Sequence, residues 1–495
     1  MSIPESFPVE CMREIISYIK HDFNSLHSCL TVNKKFGEIA IEIFWRNLWT
    51  SRGHNGFREG AYSFWAAVLR TLISSLPSES KDFLNNNGVT IHRLSHGKKL
   101  IYDYPSYCKT MDCLAISNMI EQVISVTHQN DRPRRLEYIQ HLLQQEICKL
   151  LIDRSISIPI LKFDLLPVAY FPGADKCFEK LSELHCHTAT PDLLYYALAQ
   201  ICKHIQNIII DFYEADNLGL SGLIDVQQNL KRLECRIDEL AVTQRFPAII
   251  DVIKSNAISF VHLELLHFTC IPPSIISLMQ NLKILKIKIL PDDVPRNNIW
   301  EELASVRLPK LEVLHISLHS LRLETLNPLI ANNYGNLSTL IIDFSPISNQ
   351  SFFFNETVAQ FCPNLRIFAT WFLNNEFDVL EGILTKCQHL EELFLQAFDD
   401  KNLNLKIHRL FKLLEITTPK HFSKLGLLGN WCDPSDALKS CFESWKRKSN
   451  HVSLVFSRNV CIGSEHMDLI LQYKNDGVIR RYNVVTDPVR HEFGY

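Results

Sequence analysis

One motif recurs through the second half of the chain at a near-constant interval, and it restricts the available folds more than any other feature. Leu282-x-x-Leu285-x-Ile287 returns as Leu311-x-x-Leu314-x-Ile316, Leu337-x-x-Leu340-x-Ile342, Leu365-x-x-Phe368-x-Thr370 and Leu390-x-x-Leu393-x-Leu395. Successive copies begin 29, 26, 28 and 25 residues apart. Looser copies precede them at Leu181 and Leu184, at Ile205-x-x-Ile208-x-Ile210, at Leu230 and Leu233, and from Val261 to Leu266. The last two apolar positions of each copy are two apart, so on a strand they share one face and point into a core. A single copy cannot bury that face, so the copies must stack. The stretches Gln228-Asn229-Leu230, Gln280-Asn281-Leu282, Cys362-Pro363-Asn364-Leu365 and Cys387-Gln388-His389-Leu390 punctuate the array, each ending a helical piece.

Units of about 20–29 residues, each a strand followed by a helix or irregular turn, resemble leucine-rich repeats. A doubly wound α/β domain also alternates strand and helix. The fixed interval and the lack of a Gly-rich loop after any strand argue against it. The region before the array, from Ala61 to about Leu161, reads as irregular helices. Phe64, Trp65, Val68, Leu69, Leu72 and Ile73 line one helical face that Pro77 stops. Lys81 to Asn87, Ile116 to Val126 and Leu136 to Ile152 supply further helices. After the array, a helix from Ala437 to Trp445 leads to alternating stretches at Val452–Phe456, Leu469–Tyr473 and Val478–Tyr482, with Asn475-Asp476-Gly477 as a hairpin signal.

The first residues carry a different pattern. Apolar side chains recur at Met12, Ile15, Ile16 and Ile19, three and four apart, as on one face of a helix that starts at Pro8. A second short helix follows with Leu26, Cys29 and Leu30, and a third with Phe36, Ile39, Ala40, Ile43 and Trp45. Three short helices in roughly forty residues are too little chain to hide so many large apolar groups. Either the rest of the chain or another protein covers one face.

The residues here are Phe7-Pro8-Val9-Glu10, then Ile16-Ser17-Tyr18-Ile19, Val32-Asn33-Lys34-Lys35-Phe36 and Phe44-Trp45-Arg46-Asn47-Leu48. The segment resembles an F-box, the module that binds the Skp1 adaptor of cullin–RING ubiquitin ligases. That family opens Leu-Pro-x-Glu, continues Ile-x-x-Tyr-Leu, and later shows Val-x-x-x-Trp and Leu-Trp-x-x-Leu. Phe7 and Phe36 stand where it usually has Leu and Trp. The whole chain is similar to the F-box/leucine-rich-repeat families expanded in some fungi.

The expected fold class is therefore α/β. It comprises a three-helix F-box at 1–50, a helical connector at 51–162, an irregular leucine-rich-repeat solenoid at 163–435 and a β-hairpin C-terminal cap at 436–495. The resemblance implies that Pro8, Ile15, Ile19, Leu26, Leu30, Val32, Phe36 and Trp45 include the Skp1 contacts, some of them packing internally instead. If the repeats are drawn correctly, Lys286, Lys288, His315, Ile341, Asp343, Trp371 and Phe394 face the concave side and would meet a protein substrate. Trp371 and Phe394 are the two large aromatics there. A register error of one residue would put both in the core.

Composition narrows the function classes. Of 495 residues, 46% are hydrophobic and 21% charged, and the net charge is −3, so no basic field points to nucleic acid or an anionic membrane. Arg132-Pro133-Arg134-Arg135 and Lys446-Arg447-Lys448 read as a solvated loop or helix end. The first residues lack a basic stretch leading into an apolar one, and no run approaches 18 apolar residues. With 15 scattered cysteines this places the chain in the cytoplasm or nucleus, its thiols free and mostly buried. The triplets at Asn336, Asn349 and Asn355 then match a glycosylation signal by chance.

No phosphate-binding glycine loop, nucleophile elbow, His-Glu-x-x-His or Cys-x-x-Cys occurs. His185-Cys186-His187 could place two imidazoles on one strand face, but no second ligand pair lies at a familiar spacing. Cys108 and Cys113 with His128 are weaker still, and Asp399-Asp400 reads as a solvated turn. No metal or cofactor is expected. The expectation is a non-catalytic substrate-recognition adaptor that holds a protein near a charged ubiquitin-conjugating enzyme. A leucine-rich scaffold whose first helices are only a cap is the alternative, and an enzyme with an unrecognised site is a third.

Overall fold

The computed structural model describes residues 8–20, 22–46, 48–49, 61–89, 100–127, 132–213, 215–237, 245–266, 271–288, 299–319, 323–345, 351–373, 375–397, 405–429, 431–432, 437–460, 463–486 and 489. Phe7, His128, Asn349, Asp399, Asp400 and the stretch 51–60 lie outside the described residues. The chain forms two compact units, Met1–Leu230 with Thr243–Val252, and Lys231–Val242 with Ile253–Tyr495.

The first unit opens with helices α1 (Val9–Ser17), α2 (Phe23–Leu30) and α3 (Lys34–Arg46). Pro8 precedes α1, and its carbonyl accepts from Met12 N at 3.2 Å. Asp22 starts α2, its carboxylate accepting from Asn24 N and Ser25 N at 3.1 and 3.2 Å. Asn33 does the same for α3 through Phe36 N at 3.0 Å. These side-chain acceptors satisfy amides that a helix start leaves bare. Helices α4 (Ala61–Ser75), α5 (Ser78–Asn86), Cys113–Thr127 and Pro133–Arg154 follow, as the apolar spacing predicts.

Strands β1 (Thr110–Asp112), β2 (Ile160–Lys162), β3 (Glu183–His187) and β4 (Asn207–Phe212) pair in parallel, in chain order. The strand ladder therefore starts inside the stretch expected to be a purely helical connector. β1 is only three residues long, shortly after the 3₁₀ turn Tyr104–Tyr107, so no alternation marks it in the sequence.

The second unit repeats the arrangement. Strands β5 (Arg232–Ile237), β6 (His262–Leu266), β7 (Ile284–Lys288), β8 (Val313–His319), β9 (Thr339–Ser345), β10 (Ile367–Phe372) and β11 (Glu392–Ala397) lie side by side, all parallel. The short β12 (Leu405–Lys406) pairs with β14 (Trp431–Cys432), while β13 (Lys424–Leu428), β15 (Val452–Ser457) and β16 (Ile479–Val485) extend the main sheet. Within each unit strand order follows chain order without a reversal, unlike a doubly wound sheet, which reverses at a switch point. The α/β class and the repetitive strand–helix alternation are as expected.

The motif residues act as the spacing implies. Leu282, Leu311, Leu337, Leu365 and Leu390 are all at most 1% exposed. Each such side chain contributes roughly 1.5–3 kcal/mol by leaving water. The punctuating asparagines tie neighbouring repeats together. Asn281 Nδ2 donates to Ile258 O at 2.8 Å, Asn336 Nδ2 to Pro309 O at 2.8 Å and Asn364 Nδ2 to Gly335 O at 2.7 Å.

The expected C-terminal hairpin is corrected. Leu469 to Tyr473 lies in the helix Ser464–Asn475, and β15 and β16 run parallel. Ile470 and Tyr473 are its buried residues, three apart as a helix requires. Gly477 has φ +78° and ends that helix, with Val478 N donating back to Tyr473 O at 2.9 Å. Asn-Asp-Gly here is a helix stop, and the presumed cap is one more strand–helix–strand repeat.

Candidate functional site

Two surfaces collect the candidate residues, one in each unit. In the first, the three N-terminal helices have their own interior: Met12, Ile16, Leu26, Ile39, Ala40 and Ile43 are buried, with Ile19, Cys29 and Phe36 packed against them. This sorts the predicted adaptor contacts. Leu26 is 2% exposed and Trp45 is 5% exposed, so these two are among the candidates that pack internally. Ile19 and Phe36 are half-buried supports. Pro8, Ile15, Leu30 and Val32 lie on the outside, Ile15 at 58% and Val32 at 57%. Tyr18, 81% exposed, and Val9 join them and were not singled out by apolar spacing, which rewards the buried phase of a helix.

A further set of residues turns inward onto the same unit. Phe44 meets the Phe64 ring edge-on at 5.9 Å, Trp45 lies 5.3 Å from Tyr104, and Trp49 stacks on Trp65 at 6.0 Å. A cavity of about 420 Å³ remains here, lined by Leu26, Leu30, Phe44, Trp45, Phe64 and Val68 among others. The rest of the chain thus covers one face of the helices, and another stays apolar and open.

The second surface is the strand face of the second unit that alternates with the buried leucines. From β5 to β7 it is charged and internally paired. Arg232 and Arg236 hold Glu234 at 2.7 and 2.6 Å, and His262 and Arg232 approach Glu264 at 3.6 and 3.5 Å. Burial alone would raise the Glu264 carboxyl, but His262, Lys286 and Arg232 outweigh it and bring it down to about 2. His315, the register partner of Lys286, is 3% exposed. Burial first, then Lys286 and Lys288, depress its imidazole to about 3, which keeps it neutral at physiological pH. Lys286, Lys288 and Asp343 are half-buried beside it.

At the middle positions of β9, β10 and β11 the same face is apolar and covered, while Asp343, Glu392, Gln396 and Lys424 flank that stretch half-buried on the same side. Ile341, Ala369, Phe394 and Leu428 form a cluster with Val489, and Ile367 packs at its edge. Phe394 is 0% exposed and Trp371 is 4% exposed, so the reading of these two as open aromatic anchors is corrected. Their register is the expected one: Ala369 pairs with Phe394, and Trp371 with Gln396. The cluster that buries Phe394 includes Val489, almost a hundred positions downstream, which no local pattern can announce.

Other sequence candidates have structural partners. His185 Nε2 lies 2.8 Å from Glu183 and His187 Nε2 lies 3.6 Å from Asp164, while Cys186 is buried on the opposite strand face. The hydrogen bond from His187 holds the Asp164 carboxyl below its ordinary value. Among the described residues no group of three or more His, Cys, Asp or Glu could hold a metal ion. Cys108 and Cys113 are buried thiols, and desolvation pushes Cys108 up to about 12. Lys446 to Lys448 form the last turn of Ala437–Lys448, where cations oppose the helix dipole and Lys446 also pairs with Asp476 at 2.9 Å. Asn355 is 1% exposed and donates to Trp371 O and Glu376, a position closed to modification. Among the described residues no helix is long and apolar enough to cross a membrane. No family model matches the chain, and no curated protein matches it.

Proposed function

We propose that the chain is a non-catalytic substrate-recognition adaptor of a cullin-type ubiquitin ligase, its N-terminal helices docking on a Skp1-like protein and its strand array holding a protein substrate. The carrying observation is that these helices fill their own interior and still keep Ile15, Tyr18, Leu30 and Val32 outside. Exposed apolar groups of this size on a short segment are typical of a protein-binding face. The mechanism is proximity: a partner held at each surface raises the effective concentration of substrate lysines near the conjugating enzyme. Action in the cytoplasm or nucleus goes with that role.

A scaffold without a ligase role is the second reading. It is favoured by the packing of Phe44, Trp45 and Trp49 against Phe64, Tyr104 and Trp65, which makes the helices a lid on their own unit. Co-purification with Skp1 separates the two. Wild type should retain Skp1, and an Ile15→Asp, Val32→Asp double variant should lose it, since a desolvated anchor is worth on the order of 2 kcal/mol or more. The variant must keep its helical circular dichroism. If folded wild type does not bring down Skp1, the scaffold reading replaces the adaptor.

A further inference from the structure

The N-terminal helices and α4 enclose a space that their own side chains do not fill. On α2, Asn24, His27 and Leu30 follow each other at intervals of three and so share one helical face. On α4, Phe64, Val68 and Thr71 share another at intervals of four and three. Ala40, Phe44 and Trp45 of α3 form the floor, and Tyr104 completes the wall. The cavity so bounded measures about 420 Å³. Protein interiors normally keep few voids larger than a water molecule. This one falls within the roughly 300–1,000 Å³ of small-molecule sites.

The walls select the chemistry of a guest. Leu26, Ala40, Trp45 and Val68 are all at most 5% exposed, so the inner part is dry and apolar. Asn24, His27, Leu30 and Ala67 are exposed and mark the mouth. Four rings run along the cavity: Phe64 lies 5.9 Å from Phe44, Phe44 lies 6.4 Å from Trp45, and Trp45 lies 5.3 Å from Tyr104. Such walls favour an aromatic guest, because edge-on and offset ring pairs attract beyond their burial. Among the described residues no Asp, Glu, Lys or Arg lines the space, so a charged guest would lose its hydration without gaining a counter-charge. Burial raises the Tyr104 phenol above its ordinary value, with Tyr102 and Tyr107 adding to it, so that group stays neutral too. Hydrogen-bonding capacity sits at Asn24 and His27, and at Thr71, whose hydroxyl donates to Ala67 O at 2.9 Å and can still accept.

We propose that this cavity is a binding site for a small uncharged aromatic molecule of about two fused rings bearing one hydrogen-bonding group. Its rings lie among Phe44, Trp45, Phe64 and Tyr104, and its polar end meets Asn24 and His27 at the mouth. Bound there, it adds contacts between α2–α3 and α4 and stabilises the N-terminal helices against local opening. The site stands whether or not these helices dock on Skp1.

The test titrates the full-length chain with 2-naphthol, an uncharged two-ring alcohol, and follows its fluorescence. Wild type should show saturable one-to-one binding. Ala67→Phe puts a ring into the mouth from an exposed position, so it should keep the helical circular dichroism and weaken binding at least ~10-fold. Asn24→Leu, also at an exposed position, should weaken 2-naphthol about 2- to 10-fold and leave naphthalene unchanged, since only a hydrogen bond is lost. Naphthalene-2-sulfonate and n-octanol should compete at least ~10-fold less well than 2-naphthol. With 2-naphthol bound, amide exchange should slow in α2 and α4. The proposal is overturned if wild type gives no saturable signal, if folded Ala67→Phe binds as tightly, if the sulfonate or n-octanol competes equally, or if exchange slows only outside α2 to α4. Loss of Skp1 recovery by Ala67→Phe with no 2-naphthol binding by wild type would give the cavity to a partner's side chains and overturn it as well.

Discussion

The Phe394 ring occupies the space that a side chain at Gly426 would need, 2.0 Å from where its Cβ would stand. The two residues are register partners on adjacent parallel strands, and Phe394 is 0% exposed, so the ring has no free direction in which to retreat. Gly426→Ala should therefore lower stability by about 1–3 kcal/mol, the usual range for overpacking. A lower urea midpoint at unchanged slope would register it. Phe394→Leu in the Gly426→Ala background should recover part of the loss, whereas additive losses would show that the two residues do not compete for space.

The three N-terminal helices distinguish supports from surface. Leu26→Ala removes a buried side chain and should cost about 2–4 kcal/mol. Ile15→Ser, at a position 58% exposed, should stay within about 0.5 kcal/mol. Hydrogen exchange of the α1–α3 amides measures both. Equal loss of protection in the two variants would contradict the assignment of interior and outer faces.

Glu376 predicts a pH dependence. It is 0% exposed and bound by Ser351 Oγ, by Asn355 Nδ2 at 2.9 Å and by Leu373 N at 3.3 Å. Burial raises its carboxyl above the ordinary 4.5 against the pull of these donors. The folded state therefore holds the proton more tightly than the unfolded chain. The stability this confers is complete below pH 4.5 and is lost as pH rises through the folded value. Glu376→Gln, which stays neutral, should lack that decline in urea titrations at stepped pH. Parallel pH profiles for the two proteins would refute the raised carboxyl.

Glu264 has the opposite sign. Its carboxyl falls to about 2, so the stability it contributes is present above pH 4.5 and is lost as pH drops towards 2. Wild type should lose about 1–2 kcal/mol more than Glu264→Gln across that window, the scale of a charge-assisted hydrogen bond. Replacing Lys286 by Met should shrink the difference, because Lys286 is one of the cations that depress Glu264. An unchanged difference in that background would exclude Lys286 from the network.

Local rules were legible in the sequence because the forces behind them are local. The Leu-x-x-Leu-x-Ile spacing located β7 to β11, since alternation along a strand and burial of one face need no knowledge of distant residues. The helical spacing placed α1 to α4 for the same reason. Tertiary structure decided what covers each face. Phe394 and Trp371 lie on the strand face their parity requires, and only the fold brings Val489 onto the first of them. Among the candidate adaptor contacts, three-helix packing draws Leu26 inside, Tyr104 packs against the buried Trp45, and Ile15 and Val32 stay outside. Asn475-Asp476-Gly477 allows a hairpin or a helix stop, because a left-handed glycine serves both. The choice fell to Ile470 and Tyr473, whose burial on one helical face outweighs the alternation that Leu469, Leu471 and Tyr473 share with a strand.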